Sequence, residues 1–95
     1  MDLIKDNKGT VLTIEAFHPG TFLEEEIVER GLLKKDVARD LEILPHHLSE
    51  IFAGKRNISA KLAIKLEKLL GVSAAYWAGL QLSYDLQQAR QVEYA

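Results

Sequence analysis

Residues 34 to 56 read KKDVARDLEILPHHLSEIFAGKR, and this stretch decides the fold. Lys34 to Leu41 offers Val37, Ala38 and Leu41 to a core at helical spacing. Pro45 then opens a second short helix, because a residue without an N–H loses nothing at the first helical position. Leu48, Ile51 and Phe52 form the inward stripe of that helix, and Gly54 ends it after about Ala53. Only Glu42, Ile43 and Leu44 separate the two helices, and so short a link forces a steep crossing with a small residue at the contact. Ala38 is that residue, with Leu48 and Ile51 holding the second helix against the first. This is the spacing of a DNA-binding helix-turn-helix.

The flanks read as helices too. Leu23 and Ile27 lie four apart on one face, Glu24, Glu25 and Glu26 enrich a first turn, and Gly31 is a natural stop, which gives a helix from about Thr21 to Arg30. Ser59 can cap a fourth helix whose Leu62, Ala63, Leu66, Leu69 and Leu70 face inward and which Gly71 closes. Ser73 can cap a fifth that runs to about Arg90. The expected architecture is all-α, a five-helix, lambda-repressor-like domain over residues 18–95. Residues 1–17 precede it as an extension that is polar at first and β-rich from 10 to 17, either disordered or a short strand.

Composition narrows the function. Ninety-five residues with 47% apolar content suit one compact domain. The absence of cysteine excludes disulfides and thiolate metal sites, and the polar start does not resemble a secretory signal. No run approaches the ~18 apolar residues of a membrane span, so a cytoplasmic protein is expected. Net charge is -2, but it is unevenly spread: residues 1–33 carry -4, residues 34–70 carry +3 and residues 71–95 carry -1. A basic centre between acidic ends suits two different partner surfaces.

The second helix of the motif would enter the major groove, with Pro45, His46, His47, Ser49 and Glu50 facing base edges. His46 can donate to guanine N7 or O6. Glu50 can accept from a cytosine amino group, or pair instead with a nearby Lys or Arg. Lys34 and Lys35 at the start of the motif's first helix, and Lys55, Arg56 and Asn57 after its second, flank the groove where phosphates run, and Lys61 is a further phosphate candidate. On the fifth helix Tyr76, Trp77, Leu80, Leu82, Tyr84 and Leu86 spread too widely for one stripe. Trp77, Leu80 and Tyr84 could be core. Equally, Trp77, Leu80, Gln81 and Tyr84 could form a two-fold dimer interface, which would set two recognition helices about one DNA turn apart on a palindrome.

The surrounding sequence resembles the HigA-type antitoxin branch of the Cro/repressor-like helix-turn-helix family. The matching residues are His18-Pro19-Gly20, Ala38-Arg39, Leu48-Ser49-Glu50-Ile51, Gly54-Lys55-Arg56, Trp77-Ala78-Gly79-Leu80-Gln81 and Tyr84-Asp85-Leu86. The resemblance implies a dimeric autorepressor of an operator that also neutralises an mRNA-cleaving toxin, a basic ribonuclease, encoded beside it. Two positions depart from the family pattern. The bend usually holds glycine and here has Glu42, whose left-handed conformation would cost about 1 kcal/mol. The usual Ser/Thr cap of the recognition helix is Leu44, which forgoes a side-chain acceptor worth about 1 kcal/mol.

Other classes fit less well. No G-x-S-x-G, phosphate loop or H-E-x-x-H is present, and the adjacent His46 and His47 diverge by about 100° on a helix, so neither catalysis nor a metal site is expected. Nor does the sequence suggest a cofactor, a membrane or a small-molecule ligand. A pure toxin-binding module, using the acidic N-terminal third and an added strand at Val11 to Ala16, is one rival. A solitary repressor with no toxin partner is another.

Overall fold

A computed structural model describes residues 3–5, 11–13 and 16–94. Five helices follow two short strands: β1 (Leu3–Lys5), β2 (Val11–Thr13), α1 (Pro19–Glu29), α2 (Lys34–Leu41), α3 (Pro45–Phe52), α4 (Ala60–Leu70) and α5 (Ala74–Tyr94). The strands pair antiparallel with Leu3 opposite Thr13, so the β-rich reading of residues 10 to 17 is realised at Val11–Thr13. The rest of the expected 1–17 extension before Ala16 lies outside the described residues.

Helix α1 begins two residues earlier than its apolar spacing implied, and the reason is chemical. His18 takes the N-cap position in an extended conformation and its ring accepts a hydrogen bond from the Gly20 N–H at 2.9 Å, while Pro19 fills N1. Glu24 to Glu26 therefore fall beyond the first turn, where the helix dipole gives them little. At the other end α5 continues past Arg90 to Tyr94. Gln88 to Val92 are all exposed, which covers every face of a helix, so these last turns stand clear of the core.

The core joins Leu23 and Ile27 of α1, Val37, Ala38 and Leu41 of α2, Leu48 and Ile51 of α3, Ile58, and Leu62, Ala63, Leu66 and Leu70 of α4, with Trp77 of α5. Trp77 is the largest fully buried side chain, 1% exposed. Gln81, one turn on, is also buried. Its Oε1 accepts from the Ile58 N–H at 2.8 Å and its Nε2 donates to Asp85 at 2.9 Å, fixing the α3–α4 connection to α5. Tyr84, the next residue inward, packs edge-on against His18 with ring centres 5.0 Å apart. Leu80 lies partly buried against the same core. Trp77 and Gln81, expected as dimer contacts, are thus enclosed within their own chain, because α5 has to seal α1 and α4 before it can meet anything else. Among the described residues, the large apolar side chains that α5 leaves outside are Tyr76, Leu82, Leu86 and Val92.

The α2–α3 bend takes the form read from its residues. Ala38, Leu48 and Ile51 are 0% exposed at the crossing. Glu42 adopts the left-handed conformation (φ 61°, ψ 41°), the single non-glycine residue with positive φ among those described. Lys65 offsets the strain from α4: its Nζ donates to the Leu41 carbonyl at 3.2 Å and lies 3.2 Å from the Glu42 carboxylate. Because that carboxylate is mostly exposed, the ion pair contributes only about 0–1 kcal/mol. Glu42→Gly should therefore raise stability by up to about 1 kcal/mol, as glycine relieves the left-handed strain and loses only the weak pair. Thermal unfolding of the variant checks this; a lower midpoint would show that the Lys65 clamp outweighs the strain.

Among the described residues, no helix is long and apolar enough to cross a membrane.

Candidate nucleic-acid interface

Helix α3 buries Leu48 and Ile51 and turns the rest of its first two turns outward. Pro45 and His46 are exposed, and His47, Ser49 and Glu50 are half-buried along the same face. Leu44 caps the helix in an extended conformation with no side-chain hydrogen bond, as its apolar side chain dictates, so the first-turn amides stay available to an acceptor.

The polar groups on this face are tied to one another. Ser49 Oγ accepts from Lys34 Nζ at 2.8 Å and donates to the Pro45 carbonyl at 3.2 Å, which draws the start of α2 onto α3. Glu50 Oε1 accepts from Arg56 Nε at 2.9 Å and Nη2 at 2.7 Å, and His46 Nε2 stands 3.7 Å from the same oxygen. The hydrogen bond from Arg56 holds the Glu50 carboxyl below the usual carboxylate range, so the pair stays intact at neutral pH and is lost only as pH falls through that lowered value. Glu50 thus pairs with Arg56 through Oε1. Arg39 turns instead to Asp36 and Asp40 on its own helix.

His47 is held below the usual histidine range, first by partial burial and then by the Arg56 charge, so at neutral pH it is an uncharged imidazole. It borders a shallow cleft that also includes Arg56, Asn57, Ser59, Lys61 and Lys65. Asn57 is anchored from behind. Because His18 Nδ1 accepts from Gly20, its Nε2 carries the hydrogen and donates to Asn57 Oδ1 at 3.2 Å, leaving the Asn57 amide nitrogen for other partners. Lys34, Lys35, Lys55 and Lys61 are exposed, and among the described residues none pairs with a carboxylate. They ring α3 on both flanks, from the start of α2, the α3–α4 connection and the first turn of α4.

The fold places Pro45, His46, His47, Ser49 and Glu50 together on α3, with Lys34, Lys35, Lys55, Arg56, Asn57 and Lys61 on the elements that adjoin it. Arg56 and Asn57 sit closer to the face of α3 than their place in a charge run suggested. Sequence reasoning missed Lys65, whose role depends on α4 crossing the bend. It also missed His18 as the organiser of the N-terminus of α1, although a histidine directly before Pro-Gly at a helix start carries a capping signal.

Comparison with known proteins agrees with this geometry. Residues 23–77 match a helix-turn-helix family model. Virulence-associated protein I of Dichelobacter nodosus is 36% identical over 77 residues, which span 80% of this chain and 71% of that protein. Among solved structures, an addiction module antidote protein of a HigA family from Coxiella burnetii superposes with a TM-score of 0.73 at 30% identity, covering 82% of this chain and 86% of the other. The Pseudomonas aeruginosa antitoxin HigA, solved with the higBA promoter, gives a TM-score of 0.75 at 31% identity over 84% of this chain and 94% of its own.

Proposed function

The chain belongs to the helix-turn-helix family and is a HigA-like DNA-binding regulator, and from that premise we propose that it is the antitoxin of a toxin–antitoxin pair. In this reading it represses its own operon by placing α3 in the major groove of a palindromic operator as a dimer, and it neutralises an mRNA-cleaving toxin. The observation that carries the DNA half is the arrangement of Lys34, Lys35, Lys55 and Lys61 around an outward, polar α3 face, where cations can grip phosphates on both sides of a groove. Pro45, His46, His47 and Ser49 then lie toward the bases, with Asn57 at the edge of the contact.

The protein half has its own support. The exposed face of α1 is acidic: Glu24 borders Lys34 and Ser49, whereas Glu25 and Glu29 line a separate cleft with Phe22, Val72 and Tyr76, and that second, acidic cleft suits a basic partner such as a ribonuclease. For the dimer, Leu82 and Leu86 lie one turn apart on the open side of α5, and a second copy would cover both. These outward residues replace Trp77 and Gln81 as the proposed contacts.

Co-expression of the chain with the product of the adjacent reading frame tests the pairing. The expected result is a complex that purifies intact and releases ribonuclease activity only when the two chains are separated. A neighbour that does not bind would leave a solitary repressor. The DNA half is read separately, from binding to the sequence upstream of the gene.

A further inference from the structure

Arg56 has two edges of hydrogen-bond donors, and the protein occupies only one. Nε–H and one N–H of Nη2 form the side edge, and both go to Glu50 Oε1. The end edge, formed by Nη1 and the other N–H of Nη2, is a parallel pair of donors for which no acceptor is found among the described residues. Such a pair matches the O6 and N7 acceptors that guanine presents in the major groove.

Glu50 is the sixth residue of α3, one turn beyond His46 on the outward face, so the guanidinium it holds is carried at the groove-facing surface. We propose that Arg56 reads a guanine through its end edge, and that Glu50 is the positioning residue that holds Arg56 for that contact. The inference rests on the DNA-binding reading above and says which residue supplies specificity within it.

Charge separates this role from the phosphate contact expected of Arg56. A phosphate bound to the same guanidinium would bring its anion close to the Glu50 carboxylate, and two anions would then share one cation. Guanine O6 and N7 are neutral acceptors and meet no such repulsion. Holding the long side chain before binding also reduces the side-chain freedom lost when the contact forms. Phosphate contact falls to Lys34, Lys35, Lys55 and Lys61, which have no carboxylate partner among the described residues. His46 stands beside Glu50, with its Nε2 3.7 Å from the carboxylate, and His47 shares a cleft with Arg56.

Selection from a pool of randomised duplexes, with the full chain and with Glu50→Gln and Arg56→Lys, tests the proposal. The wild type should enrich a motif with a guanine in each half-site. Both variants should lose that same guanine and keep the other positions, although Arg56→Lys retains the charge. Replacing the guanine by 7-deazaguanine, which lacks the N7 acceptor, should weaken the wild type roughly tenfold and leave Arg56→Lys almost unaffected. Glu50→Gln should also narrow the ratio of specific to non-specific affinity by about tenfold, while its melting temperature stays that of the wild type. If Glu50→Gln keeps the guanine and tightens binding to every sequence alike, Glu50 is a repulsive bystander and the proposal is wrong. A wild-type chain that enriches no motif overturns sequence reading by this domain altogether, a failure visible before any variant is compared.

Discussion

Gly20→Ala is expected to destabilise the fold by roughly 3 kcal/mol or more, the upper range for forcing atoms into a packed interior. A Cβ at Gly20 would lie 1.7 Å from the Ile51 carbonyl oxygen and 2.6 Å from its carbon. Both atoms belong to the backbone near the C-terminal end of α3, so no side chain can swing away to make room. The N-terminus of α1 would have to lift off α3. In doing so it would pull His18 from its cap on Gly20, from Asn57 and from Tyr84. Against a typical total stability of about 5–15 kcal/mol, this is a large fraction. Equilibrium urea unfolding would register it as a lower midpoint with a similar slope. Gly79→Ala is the matched control: nothing lies within 4 Å of the added carbon, and removing a glycine from the interior of α5 should gain about 0.5–1 kcal/mol. Equal midpoints for the two variants would mean that the α1–α3 approach is not the constraint described here.

DNA affinity should fall about a thousandfold between about 50 and 200 mM salt, the change expected when roughly six phosphates are neutralised. The count follows from three or four unpaired lysines in each protomer of the proposed dimer, drawn from Lys34, Lys35, Lys55 and Lys61. Lys34 is shared with Ser49 and is the least free of the four. Titration of the upstream DNA at several salt concentrations gives the slope directly. Lys55→Ala should weaken all sequences about equally and flatten the slope by about one for each contact removed. That behaviour separates a phosphate contact from the Arg56 variants, which should change the preferred sequence. An affinity unchanged by salt would remove the lysine ring from the binding account.

Much of this was legible in the linear pattern. The α2–α3 unit could be read because each of its determinants is local. Apolar spacing, a proline at N1, a three-residue link and a small residue at the crossing act within twenty residues, and the tertiary structure realises them at Ala38, Leu48 and Ile51. The left-handed conformation of Glu42 and the missing acceptor at Leu44 were legible through the family resemblance, whose pattern has glycine and Ser/Thr at those positions. The start of α1 was misplaced because apolar periodicity does not register a histidine cap. For α5 the sequence left core and dimer contact both open at Trp77, because a wide apolar distribution does not say which side meets the chain's own core.

The amino-acid sequence by itself determined the helix-turn-helix, the face of α3 that looks outward and the basic flanks around it, since these follow from periodicity and charge over short spans. Only the tertiary structure decided what those side chains do to one another. Glu50 and Arg56 lie six residues apart and across a helix end, and their pairing depends on how the α3–α4 connection folds back, held by His18 through Asn57 and by Gln81 through Ile58. The closure of α5 over α1 and α4 likewise buries Trp77 and Gln81 and leaves Leu82 and Leu86 outside. Such contacts join residues distant in sequence, and their geometry is set by the packing of whole helices, which no local spacing encodes.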